Sequence, residues 1–127
     1  MGQPAAAQGD LVTAADTHLV VVPGAAPSPV VLPFSGALSD GLSTTVRIGG
    51  RPAAVVGSGA HNQPPHVPPA GSFSRPPTNT ATVQSGSATV RIGGRFAARA
   101  GDPALTCNDP ADAPVGVVVA AGPVRIG

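Results

Sequence analysis

The sequence predicts an all-β fold, closed on itself by pseudo-threefold internal repeats, and three observations carry that prediction. The first is a phrase written almost identically twice, as Thr45-Val46-Arg47-Ile48-Gly49-Gly50-Arg51-Pro52-Ala53-Ala54 and as Thr89-Val90-Arg91-Ile92-Gly93-Gly94-Arg95-Phe96-Ala97-Ala98. The second is a third copy divided between the two ends. The chain finishes on Val124-Arg125-Ile126-Gly127, and Gly2-Gln3-Pro4-Ala5-Ala6 continues that copy in the same register. The third is punctuation: 17 Gly and 16 Pro in 127 residues bound short runs rich in Val, Ile and Thr. Proline at that density breaks helices, and no apolar period near 3.6 residues is sustained.

Taken in order, the strand signals fall at 11–22, 30–34, 44–48, 81–92 with a break near Ser85-Gly86, and 115–126 with a break at Gly122-Pro123. Between the phrases the register continues, because Gly9, Gly57 and Gly101 stand at one offset after the opening valine and Asp10, Ser58 and Asp102 at the next. A repeat buries its apolar face against its neighbours, so the three copies predict one shared body in which the chain ends meet. The spacings are unequal, which places Pro- and Gly-rich insertions inside repeats one and three. Pro27-Ser28-Pro29 and residues 64–77 are the most linker-like stretches. In a closed body the second reads as a rigid loop laid over the surface, pinned at its start by His61 and His66.

Length fits one domain over residues 1–127. Its core must be small, since there is no Trp or Tyr and the only aromatic residues besides histidine are Phe34, Phe73 and Phe96. Closed strand pairing, a metal or a partner has to supply stability that aromatic burial does not. The charged residues are seven Arg and six Asp, for a formal net charge of +1, which offers no basic patch suited to nucleic acid or an anionic membrane. No apolar run reaches the roughly 20 residues of a bilayer span, and the start of the chain lacks the pattern of a signal peptide. Export would therefore depend on another machine.

The chain holds three histidines and one cysteine: His18, His61, His66 and Cys107. In repeat register His18 and His66 coincide, and His61 and Cys107 lie close to the same offset, so a threefold arrangement carries all four toward one end. Three imidazoles and a thiolate complete a tetrahedral site for Zn²⁺. Fe²⁺ is the alternative, although a thiolate with imidazoles favours zinc. The spacing matches no finger, ribbon or knuckle, and a lone histidine or cysteine is usually a surface or core residue. The coincidence of offsets, with His61 and Cys107 a few residues short of the other two, and the absence of any other His or Cys single these four out.

The phrases Pro4-Ala5-Ala6-Ala7, Pro52-Ala53-Ala54-Val55 and Phe96-Ala97-Ala98-Arg99 resemble the Pro-Ala-Ala-Arg motif of the PAAR-repeat family. Ala7 and Val55 stand where the motif has Arg, and Phe96 where it has Pro. His18, the segment from His61 to His66 and the segment Thr106-Cys107-Asn108-Asp109-Pro110 resemble the family's zinc-binding positions. The resemblance implies a small zinc-stabilised cone of short strands that caps and sharpens the trimeric β-helical spike of a contractile injection system, one copy per trimer. Such systems include type VI secretion systems, contractile phage tails and extracellular contractile particles. It also implies assembly in the cytoplasm, delivery outside or into a target cell, and transient contact with the target membrane. Family members often carry fused toxin domains. Here both ends are consumed by the third repeat, so the expectation is a bare tip whose effectors, where present, attach non-covalently.

Two other classes of function fit the sequence less well. A zinc hydrolase needs an open coordination position and a general base, whereas four protein ligands fill the shell and the chain has no Glu; Asp16 and Asp109 are more simply turn residues or groups that orient a histidine. A serine hydrolase lacks its Gly-x-Ser-x-Gly elbow. A stand-alone zinc-stabilised binding or adhesin module keeps fold and metal but has no threefold partner. The expectation is a structural protein with no enzymatic activity.

Overall fold

In the computed structural model, which describes residues 2–127, every regular element is a β-strand. Along the chain these are β1 (Gln3–Pro4), β2 (Leu11–Val21), β3 (Ser28–Asp40), β4 (Arg47–Ile48), β5 (Arg51–Pro52), β6 (Gly59–His61), β7 (Ser72–Phe73), β8 (Thr80–Val83), β9 (Arg91–Ile92), β10 (Arg95–Phe96), β11 (Pro103–Thr106), β12 (Ala113–Val119) and β13 (Arg125–Ile126). Six of them close a small antiparallel barrel in the order β2, β3, β6, β8, β11, β12 and back to β2. Each repeat supplies one adjacent pair. Closure removes the exposed edges that a sheet this poor in large side chains would otherwise present.

The repeated phrases build three short arms. In two of them the glycine pairs Gly49-Gly50 and Gly93-Gly94 hold φ of 60° and 81°, and 60° and 83°. Those are the positive values that a two-residue hairpin turn needs at both centres. The third arm has no covalent turn: β1 pairs with β13, with Gln3 opposite Ile126 and Pro4 opposite Arg125. That matches Arg51 opposite Ile48 and Pro52 opposite Arg47, or Arg95 opposite Ile92 and Phe96 opposite Arg91. The chain ends meet as the split repeat requires.

Beneath the arms the threefold relation extends to individual hydrogen bonds. The N–H of Ala6 donates to the carbonyl of Ala98, that of Ala98 to Ala54, and that of Ala54 to Ala6, at 2.9, 3.0 and 3.0 Å. All three alanines are completely buried, and the bridges Ala5–Arg99, Ala7–Ala53 and Val55–Ala97 link the same segments around the ring. Only a methyl side chain fits where three backbones converge. The next turn repeats as well. Asp10, Ser58 and Asp102 accept hydrogen bonds from the N–H groups of Ala7, Val55 and Arg99, at 2.9, 2.9 and 2.7 Å. Gly9, Gly57 and Gly101 donate to the carbonyls of Leu38, Val83 and Val118, three buried side chains at equivalent places in the barrel.

The barrel interior is filled by small groups, chiefly Ala60, Ala81, Ala104, Val12, Val83 and Val118, around Phe34 and Leu38. The backbones are close enough that a Cβ on Gly36 would lie 2.3 Å from the carbonyl oxygen of His61.

Strand bounds differ from the sequence expectation in instructive places. The strand expected at 30–34 runs from Ser28 to Asp40 despite Pro29 and Pro33. Over that half β3 pairs only with β2, since β6 joins it at Leu38 and Asp40, so the prolines sit where one side lacks a strand neighbour. The 81–92 signal divides into β8 in the barrel and β9 in an arm, and 115–126 into β12 and β13. Residues 64–77 lie mostly exposed on the surface, tied down where β7 takes over the β2 edge at Val20 and Val21, beyond the end of β12.

Candidate metal centre

Strand alternation sets the first half of the site. On β2 the buried positions include Val12, Asp16, His18 and Val20, so the strand turns Asp16 and His18 to one face of the sheet, toward the interior and away from the alanine ring. Asp16 is 0% and His18 1% exposed. Cys107 follows the last residue of β11 and is equally buried. His66 arrives from the loop after β6, where its N–H donates to Asn79 Oδ1 at 2.8 Å and its Nδ1 lies 3.2 Å from Asn62 Nδ2.

These four residues converge. Asp16, His18, His66 and Cys107 each offer one ligand-type atom, all within 4.8 Å of one another. Asp16 Oδ2 stands 2.8 Å from His66 Nε2 and 3.5 Å from Cys107 Sγ, while its Oδ1 accepts a 2.6 Å hydrogen bond from the Thr106 hydroxyl. His18 Nδ1 faces Asp109 Oδ2 at 3.6 Å. Asp109 is itself fixed by the N–H of Leu19 and the Arg75 guanidinium. A groove of about 490 Å³ between Arg75, Pro76, Thr78 and Asp112 reaches His18 and Cys107, giving the cluster a path to solvent.

The repeat register groups His61 with these ligands, and the geometry separates it from them. On β6 the buried residue is Ala60, which pairs with Leu38 and Ala81, so His61 next to it turns outward. Its side chain is 55% exposed, and Nε2 lies 2.7 Å from Asp40 Oδ2. A similar repeat offset groups His61 with the ligands; the two-residue strand period turns it to the opposite face.

Three features suit the cluster to a cation. Both ring nitrogens of His18 are buried without a hydrogen-bond partner, a costly arrangement unless something binds there. Asp16 is a fully buried carboxylate, and buried charge is retained only when compensated. Burial also pushes the Cys107 thiol pKa up, with the charge of Asp16 adding to it and hydrogen bonds from the Asn79 backbone and Thr78 opposing it. A divalent ion held by one His18 nitrogen, the Asp16 carboxylate and the Cys107 thiolate would answer to each of these groups.

A model of the PAAR motif matches residues 1–110. The chain belongs to the PAAR family. No curated protein matches it. PAAR proteins are structural proteins of the spike tip in contractile injection systems, and the closed all-β cone with a buried cluster of potential metal ligands is consistent with that family. In this PAAR protein the alanines of the motif are the ring residues Ala5-Ala6, Ala53-Ala54 and Ala97-Ala98, and the one motif arginine present, Arg99, pairs with Asp102 at 2.9 Å. The arginines missing from the other two copies leave the ring unchanged, because Asp10 and Ser58 still accept the N–H groups of Ala7 and Val55, and Arg51 from another repeat pairs with Asp10 at 3.1 Å.

Proposed function

We propose that this PAAR protein caps the end of a trimeric β-helical spike, one copy per trimer, and stiffens the point that first meets a target membrane. The observation that carries the reading is the hydrogen-bonded alanine ring with three equivalent two-stranded arms. A single chain with three equivalent faces can sit on a true threefold axis and offer each spike subunit the same backbone surface. Among the described residues no arm has a third strand, so each keeps an open edge on which a partner strand can continue the sheet.

A metal serves the opposite end. Little apolar area can be buried where strands converge, and a bound ion ties several segments together without it. His18 on β2, His66 from the loop after β6 and Cys107 after β11 belong to three different parts of the chain, so one ion would clamp all of them. Zinc supplies a rigid tetrahedral junction and accepts each of these donors. Assembled inside the cell, the tip would leave with the spike.

The direct test mixes the purified chain with a trimeric spike from the same source and follows co-elution by size exclusion. Formation of a stable complex supports the reading. Independent elution at micromolar concentrations of both would favour the stand-alone binding module instead.

A further inference from the structure

We infer that Asp16, and not His61, is the fourth ligand of the metal centre, which makes the site an electroneutral Asp-His₂-Cys set. The inference rests on the proposed metal clamp and settles what completes it. Asp16 Oδ2 lies among the other donors, 2.8 Å from His66 Nε2 and 3.5 Å from Cys107 Sγ. Its second oxygen is held by the Thr106 hydroxyl at 2.6 Å, which fixes the carboxylate plane and leaves Oδ2 free to point at an ion. His61 would have to leave a 2.7 Å contact with Asp40 and reverse the facing of β6, which Ala60 holds by its burial between Leu38 and Ala81.

Charge points the same way. A divalent ion with one thiolate and three neutral imidazoles carries a net positive charge, and Asp16 beside it would remain a separate buried anion. With Asp16 as ligand, the thiolate and the carboxylate balance the ion by direct contact, in a site where Asp16, His18 and Cys107 are all buried. Of the remaining nitrogens, His18 Nδ1 faces the carboxylate of Asp109 at 3.6 Å. Tetrahedral coordination by one S, two N and one O lies within the range that zinc accepts.

The test uses the full chain. For the wild type loaded with Zn²⁺, nitrogen-detected NMR of the histidine rings should show two metal-bound imidazoles, His18 and His66, with His61 free. X-ray absorption should fit one sulfur and three light scatterers. With Co²⁺ as probe, His61→Ala should keep one equivalent of metal and an unchanged visible spectrum. Asp16→Asn should shift the spectrum and weaken Co²⁺ binding by more than about 100-fold, beyond the 10–100-fold expected of a group that only orients a ligand. Three metal-bound imidazoles in the wild type would overturn the assignment whether or not either variant folds. So would an Asp16→Asn protein that binds Co²⁺ like the wild type. A folded wild type that takes up no metal would instead overturn the clamp on which the assignment rests.

Discussion

The N–H of Ala54 donates to the carbonyl of Ala6 at 3.0 Å, and both side chains are sealed from solvent on the pseudo-threefold axis. The two residues come from different repeats and are joined into one ring through Ala98. Enlarging any of the three should therefore force the ring apart. Ala54→Leu is expected to lower stability by about 1–3 kcal/mol or more, the usual range for overpacking. Val67→Ala, at a side chain 71% exposed, should change it by less than about 0.5 kcal/mol. Chemical denaturation of the two variants checks this, and equal midpoints would contradict a packed axis.

The third arm is a hairpin without its turn. Joining Gly127 to Gly2 and opening the chain between Gly24 and Ala25, in the exposed connection of β2 to β3, should give a permuted protein with the same fold and metal content. Gly127-Gly2 would then occupy the place of Gly49-Gly50 and Gly93-Gly94. Circular dichroism and thermal unfolding suffice to judge it. A permutant that fails to fold would mean that the strand pairing of the ends is incidental.

Thr106 holds the buried carboxylate of Asp16 through its hydroxyl. Thr106→Val keeps the shape and removes the donor, leaving one carboxylate oxygen without its partner, so a loss of about 1–3 kcal/mol is expected. Thr44→Val, at an exposed threonine outside the cluster, is the control. Thermal unfolding of the metal-loaded proteins measures both.

Metal removal should expose the cost of the empty cluster. Burial, the largest influence, raises the Cys107 pKa, so in the metal-free fold the thiol stays protonated at neutral pH and alkylation should be slow until denaturant is added. The linkage has a definite sign. An acid whose folded pKa exceeds the unfolded value of about 8.5 holds its proton more tightly in the fold, so stability of the metal-free chain should fall as pH rises above about 8.5. Cys107→Ser should flatten that loss. The metal-loaded wild type should unfold at a markedly higher temperature than the chelated one, because an ion bound only by the fold adds to its stability.

Much of this architecture was legible because it is written three times. The split phrase foretold the pairing of β1 with β13, and the matched offsets of Gly9, Gly57 and Gly101 foretold three equivalent turns. Short strands such as β6 and β11 were not legible, since three or four residues carry too little pattern to stand out among so many Gly and Pro. Asp16 reads from sequence as a turn or orienting residue, yet it carries a further signal: it precedes His18 by two residues in a strand that alternates buried and partly exposed positions, and a carboxylate on the inward face demands a reason. His61 was grouped with the ligands by height along the repeat. Its facing depended on the register of β6 against β3, which includes a shift between Leu38 and Asp40 that no offset count reveals.

In the proposed cap, three equivalent arms serve three equivalent partner chains. Native mass spectrometry of the complex with a trimeric spike measures it directly, using the full chain and a form lacking residues 123–127, which removes β13 and leaves β1 unpaired. One full-length chain per spike trimer is expected, with the truncated form binding far more weakly, since each buried backbone group left unmet costs about 1–3 kcal/mol. A stoichiometry other than one per trimer, or a folded truncated form that binds as tightly as the full chain, would contradict the account.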